Sequence, residues 1–190
     1  MIGIIEVLQR EHRNIEKLLE VIEQELGVFD RGEHPDYEVL GAVIDYFRYY
    51  PDTCHHPKED LIYEKFKSRD PAQAELVANL RAEHREGAAR LRRAAHAIEN
   101  VLNDQDLLRE TVDRIVRDFV DGERQHIALE EREVFPAIVK ALKAADWAEI
   151  ALTLADRYGI QSQPYFEAQY SALCRNILDL EKTAAADRRA

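Results

Sequence analysis

Apolar residues recur three and four positions apart through almost the whole chain, the period of amphipathic helices rather than of strands. Over residues 4–29, Ile5, Leu8, His12, Ile15, Leu19, Ile22 and Leu26 fall on one stripe and predict a first helix. Gly32 and Pro35 mark the turn that ends it. A second stripe begins near Tyr37 with Leu40, Val43, Ile44 and Phe47 and resumes at Leu61, Ile62 and Phe66, reaching about Lys67. Pro51 and Pro57 lie between its two parts, and each removes a backbone donor, so a bend is expected there within one helix. Asp70-Pro71 reads as a cap followed by the first helical position. The third helix then carries Leu76, Leu80, His84, Ala88, Leu91, Ala95 and Ile98 inward as far as Leu102. Asn103-Asp104 reads as a turn. A fourth helix, over residues 107–144, has Val112, Ile115, Phe119, Glu123, His126, Glu130 and Ile138 near one face.

Four long helices with short turns predict an all-α, up-down-up-down antiparallel four-helix bundle over residues 1–144. Residues 145–190 form an extension: a helix over 147–158, a break at 159–164, a helix over 165–180 and a polar tail. Its Trp147, Ile150, Leu154, Tyr165, Phe166, Tyr170, Leu173 and Ile177 are too many apolar side chains to leave in water. They are expected to cover the bundle or to make a homodimer contact.

Polar residues interrupt the stripes in a repeated order. His126 and Glu130 lie four apart, so on a helix an imidazole and a carboxylate reach one point. Glu11-His12-Arg13 recurs as Glu83-His84-Arg85 at an offset of 72, and His55 with Glu59 recurs as His126 with Glu130 at an offset of 71. The next acid is matched too, Asp60 against Glu131. His56 with Asp60 has the same spacing, but His55 with Glu59 keeps both repeat offsets nearly equal and puts residues 55, 59, 62 and 66 on one face, so His55 is the preferred ligand and the bend at Pro57 keeps His56 a candidate. Taken singly, each of these histidines reads as a hydrogen-bonded core residue. Together they direct four imidazoles and two carboxylates to the bundle interior, where buried charge needs a partner. Such a set is too rich for a structural zinc site and suits a pair of non-haem iron ions, with manganese the other metal it would accept. A ferritin-like scheme needs Glu-x-x-His twice. Glu123-Arg-Gln-His126 supplies it once, Asp52-Thr-Cys-His55 only imperfectly, and His12 and His84 fall outside it. His34 and His96 read as surface.

The order His, His-x-x-x-Glu, His, His-x-x-x-Glu, with HHPKED and HIALEEREVFP, resembles the hemerythrin-like (HHE cation-binding) domain family over about residues 4–143. The resemblance implies a four-helix bundle around an oxo- or hydroxo-bridged di-iron centre. By it, His12, His55 or His56, His84 and His126 would be iron ligands, and Glu59 and Glu130 bridging carboxylates. Oxygen-carrying hemerythrins have a further histidine one turn after the third-helix ligand; here Ala88 stands there. Water, Glu86 or a nearby tyrosine would fill that position. The departure points away from reversible oxygen carriage. It points toward relatives that sense or handle oxygen, nitric oxide or iron, or that carry out peroxide chemistry or di-iron repair. A binding or sensing protein for a diatomic ligand or peroxide is one expectation. A redox enzyme is the other, with Tyr46, Tyr49, Tyr50 and Tyr63 near the site.

The net charge of −11 argues against nucleic acid and against an anionic membrane surface as partners. Cys54 and Cys174 suggest no disulfide framework. The amphipathic start lacks the pattern of a signal peptide, and no run approaches the ~18 apolar residues of a membrane span. A soluble, cytoplasmic protein is expected. No catalytic triad, P-loop, Rossmann fingerprint or paired CxxC occurs.

Overall fold

A computed structural model describes residues 3–102, 108–158 and 162–188, and these form helices joined by short turns, without strands. The predicted turn at Asn103-Asp104, residues 159–161 of the predicted break, and the side chains of Tyr165 and Phe166 lie outside what it describes. Helix α1 spans Ile4–Asp30 and buries the predicted stripe, with Glu6 accepting a hydrogen bond from the Gly3 N–H at its start (3.0 Å). The turn beyond it passes through Gly32, whose φ of 81° lies in the left-handed region that glycine tolerates best.

Helix α2 (Tyr37–Tyr50) starts at Asp36, whose side chain accepts from the Val39 N–H at 3.0 Å. The Asp36 N–H itself donates to the fully buried Glu25 at 2.7 Å, tying the turn back onto α1. Arg188 clamps the same carboxylate with two contacts, at 2.8 and 3.2 Å.

The second rod does not stop at its prolines. A π-helical turn, Pro51–His55, leads into α3 (His56–Arg69), and the His56 N–H reaches back five residues to the Pro51 carbonyl. Pro57 follows at once and cannot donate, so the wide turn carries the chain past the missing hydrogen bond. After a 3₁₀ turn at Pro71–Gln73 comes α4 (Ala74–Leu102). Helix α5 (Arg109–Leu129) likewise passes through a π turn, Glu130–Val134, into α6 (Phe135–Ala141). The uninterrupted fourth helix expected from the pattern is thus corrected. Pro136 has the same effect as Pro57, and the Phe135 N–H reaches the Glu130 carbonyl.

Two apolar clusters fill the interior. One joins Leu18, Leu19 and Ile22 of α1, Val43 and Phe47 of α2, Ala94 and Ile98 of α4, and Val116 and Phe119 of α5. The other joins Leu8 of α1, Ile62, Tyr63 and Phe66 of α3, Leu80 of α4, and Phe135 and Ile138 of α6. On every rod the His and Glu residues of the repeat fall between the two clusters.

Helices α7 (Ala144–Tyr158) and α8 (Ser162–Asp187) extend these clusters. Helix α7 packs on α3 through Ile150 and Leu154, and α8 packs on α1 and α2 through Cys174 and Ile177. Helix α8 starts earlier and runs further than expected, so the predicted polar tail is helical to Asp187. Its buried face differs from the expected one at a single position. Cys174 is inside, whereas Leu173, expected inside, is 37% exposed. No described helix is long and apolar enough to cross a membrane. If α8 belongs to the core, Ile177→Ala should destabilise the protein by about 2–4 kcal/mol, read as a lower urea midpoint with helicity retained.

Candidate metal centre

The repeat brings its inward residues to one place from α1, the first π turn with α3, α4, and α5 with the second π turn. His12 of α1, His55 at the end of the first π turn, Glu59 of α3 and Glu130 of the second π turn place one ligand-type atom each within 4.8 Å of one another. Glu59, His84 of α4, His126 of α5 and Glu130 do the same. The two groups share both carboxylates, each of which offers one oxygen to either side. Glu59 Oε1 faces His55 Nε2 at 3.1 Å and Oε2 faces His84 Nε2 at 3.4 Å. Glu130 Oε2 faces His12 Nε2 at 3.3 Å and Oε1 faces His126 Nε2 at 3.2 Å. Two carboxylates spanning two imidazole pairs form the ligand pattern of a dinuclear site.

Unsatisfied polar atoms test whether cations fit. Both oxygens of Glu59, Glu130 Oε2, His84 Nε2 and His126 Nε2 are buried and have no hydrogen-bond partner among the described residues. Leaving a buried polar group unpaired costs about 1–3 kcal/mol, and more when it is charged. The His12 and His55 Nε2 atoms also face each other at 3.1 Å, where two lone pairs repel unless a proton or a cation stands between them. All these atoms point into the same space. The residues fit a pair of metal ions.

The far sides of the rings are held by acids. His55 Nδ1 donates to Glu11 at 2.8 Å, His126 Nδ1 to Glu83 at 2.9 Å, and His12 Nδ1 to Glu131 at 3.0 Å. Each bond puts a hydrogen on Nδ1, fixing the ring's orientation and turning Nε2 inward. Glu11 in turn accepts from the buried ammonium of Lys58, and the Tyr63 hydroxyl donates to Glu130 Oε1. The fourth ring breaks the pattern. Asp60, matched to Glu131 in the repeat, pairs with Arg81 at 2.9 Å, and His84 instead stacks on His56 at 3.9 Å between ring centres.

Charge follows geometry. Burial works against a protonated His12, but its contacts with Glu130 and Glu59 outweigh that and raise it to about 10. His126 is raised to about 10 against the same burial, chiefly by Glu130, and His55 to about 9 by Glu59 and Glu11. Glu59 and Glu130 lie below the usual carboxylate range although burial opposes their ionisation, because the surrounding imidazoles stabilise the anions. Burial pushes the Glu123 carboxyl up.

Of the seven residues singled out in the sequence, six converge and His56 does not. Its Nδ1 bonds Asp52 at 3.1 Å on the outer side of the centre. Among the groups considered for the Ala88 position, Glu86 is exposed and paired with Arg93 at 3.2 Å. Tyr49 is exposed as well, whereas Tyr46 and Tyr50 are buried. His34 and His96 are exposed as expected. Sequence reasoning missed the outer acids Glu11, Glu83 and Glu131, although the repeat carried them beside the inward residues.

A family model described as hemerythrin HHE cation binding domain matches residues 3–138, most of the chain. No curated protein and no solved structure matches it.

The raised histidines stabilise the metal-free fold fully below their unfolded value of 6.5 and lose that contribution as pH climbs through 9–10. The lowered carboxylates contribute above 4.5 and lose their contribution in acid. Metal-free protein is therefore expected to melt at progressively lower temperature from pH 7 to pH 10. Metal needs the lone pairs those protons occupy, so loading at pH 7 should release protons, visible as calorimetric heats that vary with the buffer's ionisation enthalpy. Glu11→Gln should weaken metal binding about 10–100-fold in a chelator competition, because His55 loses its orienting carboxylate.

Proposed function

The chain belongs to the hemerythrin HHE cation-binding family, and we propose that it is a metal-binding protein with a non-haem di-iron centre that binds or senses oxygen, nitric oxide or iron status. The observation that carries this reading is the sharing of Glu59 and Glu130 by two groups of imidazoles. We read α1, α2 with α3, α4, and α5 with α6 as the four rods of an up-down-up-down bundle over residues 1–144, with residues 145–190 as an extension on it.

The protein's part is to hold and shield. Glu59 and Glu130 present one oxygen to each half, and the four Nε2 atoms complete the two halves. Glu11, Glu83 and Glu131 lock three of the rings, while Tyr63 holds Glu130 by its Oε1. The apolar clusters on either side keep bulk water away. A bound iron pair supplies coordination of a small molecule and one-electron exchange. Manganese fits the same mixed nitrogen and oxygen donors.

A redox enzyme acting on peroxide or nitric oxide, or repairing iron centres, is the second reading. It is favoured by an aromatic row leading outward: Tyr50 lies 6.4 Å from His55, ring to ring, and Tyr170 of α8 lies 4.5 Å from Tyr50. Such a row would carry electrons between the centre and a donor at the surface.

Metal analysis of freshly purified protein, with absorption spectra before and after oxygen and nitric oxide, tests the centre. About two irons per chain with the charge-transfer bands of a bridged pair are expected. His126→Ala should lose iron while keeping its helicity. Stoichiometric zinc, or no metal that reconstitution restores, would overturn the reading. Turnover that depends on added reductant would favour the enzyme over the sensor.

A further inference from the structure

The two halves of the centre differ in what surrounds them. His12 and His55 are almost wholly buried, and Phe135 lies stacked on His12 at 5.5 Å with the rings 6° from parallel. His84 and His126 are 10% and 12% exposed. Beside this second pair lies a cavity of about 20 Å³. Gly87 and Ala88, in its wall, stand one turn after His84 on α4, and Glu123 stands one turn before His126 on α5. His56, also in the wall, is the ring stacked on His84, and its Nδ1 is held by Asp52, another wall residue. Phe47 and Phe119, packed edge to face at 5.2 Å, line it as well.

Two small residues make this space. A Cβ on Gly87 would lie 2.7 Å from Glu123 Oε1, so the missing side chain lets the carboxylate lie against α4. Ala88 fills little of the volume a longer side chain would take. A water needs about 10–15 Å³, so about 20 Å³ admits one water or a molecule of two or three heavy atoms. A space of this size excludes larger molecules such as phosphate.

We propose that this cavity is where an exogenous molecule of two or three atoms meets the centre, on the His84 and His126 side, with Glu123 and His56 as the side chains that hydrogen-bond it. The proposal rests on the metal-centre reading above. It gives Ala88 and Gly87 the role of specificity residues: they set the size of what enters.

The test is the affinity of iron-loaded protein for azide, followed by absorption, in the wild type and in Ala88→Leu, Gly87→Ala and Glu123→Gln. Ala88→Leu should fill the cavity and weaken azide binding about tenfold or more with iron content unchanged. Gly87→Ala displaces only the flexible end of Glu123, and Glu123→Gln keeps its size; each should shift affinity about fivefold, the value of one hydrogen bond. If Ala88→Leu loses iron, the other two variants decide. Wild-type affinity in every variant that retains the iron pair would overturn the assignment and put the exogenous molecule on the His12 and His55 side. An iron-loaded wild type that binds no azide would overturn it too. A wild type that holds no iron would overturn the metal-centre reading, and this assignment with it.

Discussion

Two carboxylates buried among the imidazoles of the centre are the constraint on which the rest depends. Glu59 and Glu130 have no exposed surface. Two anions removed from water repel each other and lose their hydration, a penalty of several kcal/mol per ion even after relaxation. Two cationic arrangements can offset it. Without metal, His12, His55 and His126 supply positive charge, which is why their protons are held so far above the ordinary range. With metal, the same nitrogens give up those protons and become donors. One geometry thus serves both states, and the protons and the metal compete for it.

That competition explains the outer acids. An imidazole free to rotate could turn Nε2 away from the centre and leave the carboxylates unpartnered. Glu11, Glu83 and Glu131 prevent this by holding Nδ1, and each comes from a different rod than the ring it holds. The centre therefore ties α1 to the first π turn, α4 to α5, and the second π turn back to α1. The apolar clusters close the bundle on both sides, but the polar layer between them sets the relative rotation of the rods.

Much of this was legible in the sequence because it is periodic. The stripes located the rods, and the offsets of 71 and 72 located six converging residues without any coordinates. The choice between His55 and His56 was only partly legible: the nearly equal offsets favoured His55, but the helical face did not settle it. A π turn adds about one residue to a helical turn, so counting by threes and fours across residues 51–55 loses the face. Pro57 signals that something happens there, yet a kink and a widened turn look alike in sequence. Leu173 failed for a plainer reason: α8 has a weakly segregated apolar face, and its docking on α1 and α2 decided between neighbours. The outer acids were visible as part of the repeat, but their role was not, since it depends on contacts between residues more than forty positions apart.

The repeat is imperfect where its imperfection has consequences. Glu131 holds His12, and its counterpart Asp60, one methylene shorter, turns to Arg81 instead. His84 is left against the flat ring of His56 in place of a carboxylate. An imidazole backed by a carboxylate is more basic and donates more strongly to a metal, so the half with His84 is the weaker donor of the two. Exposure acts in the same direction. Glu11, behind His55, is 5% exposed and braced by Lys58, whereas Glu83, behind His126, is 42% exposed and its field is screened by water. A duplicated ligand set therefore does not make a symmetric centre. Small differences in side-chain length and solvent access leave one half dry and fully braced and the other nearer the surface.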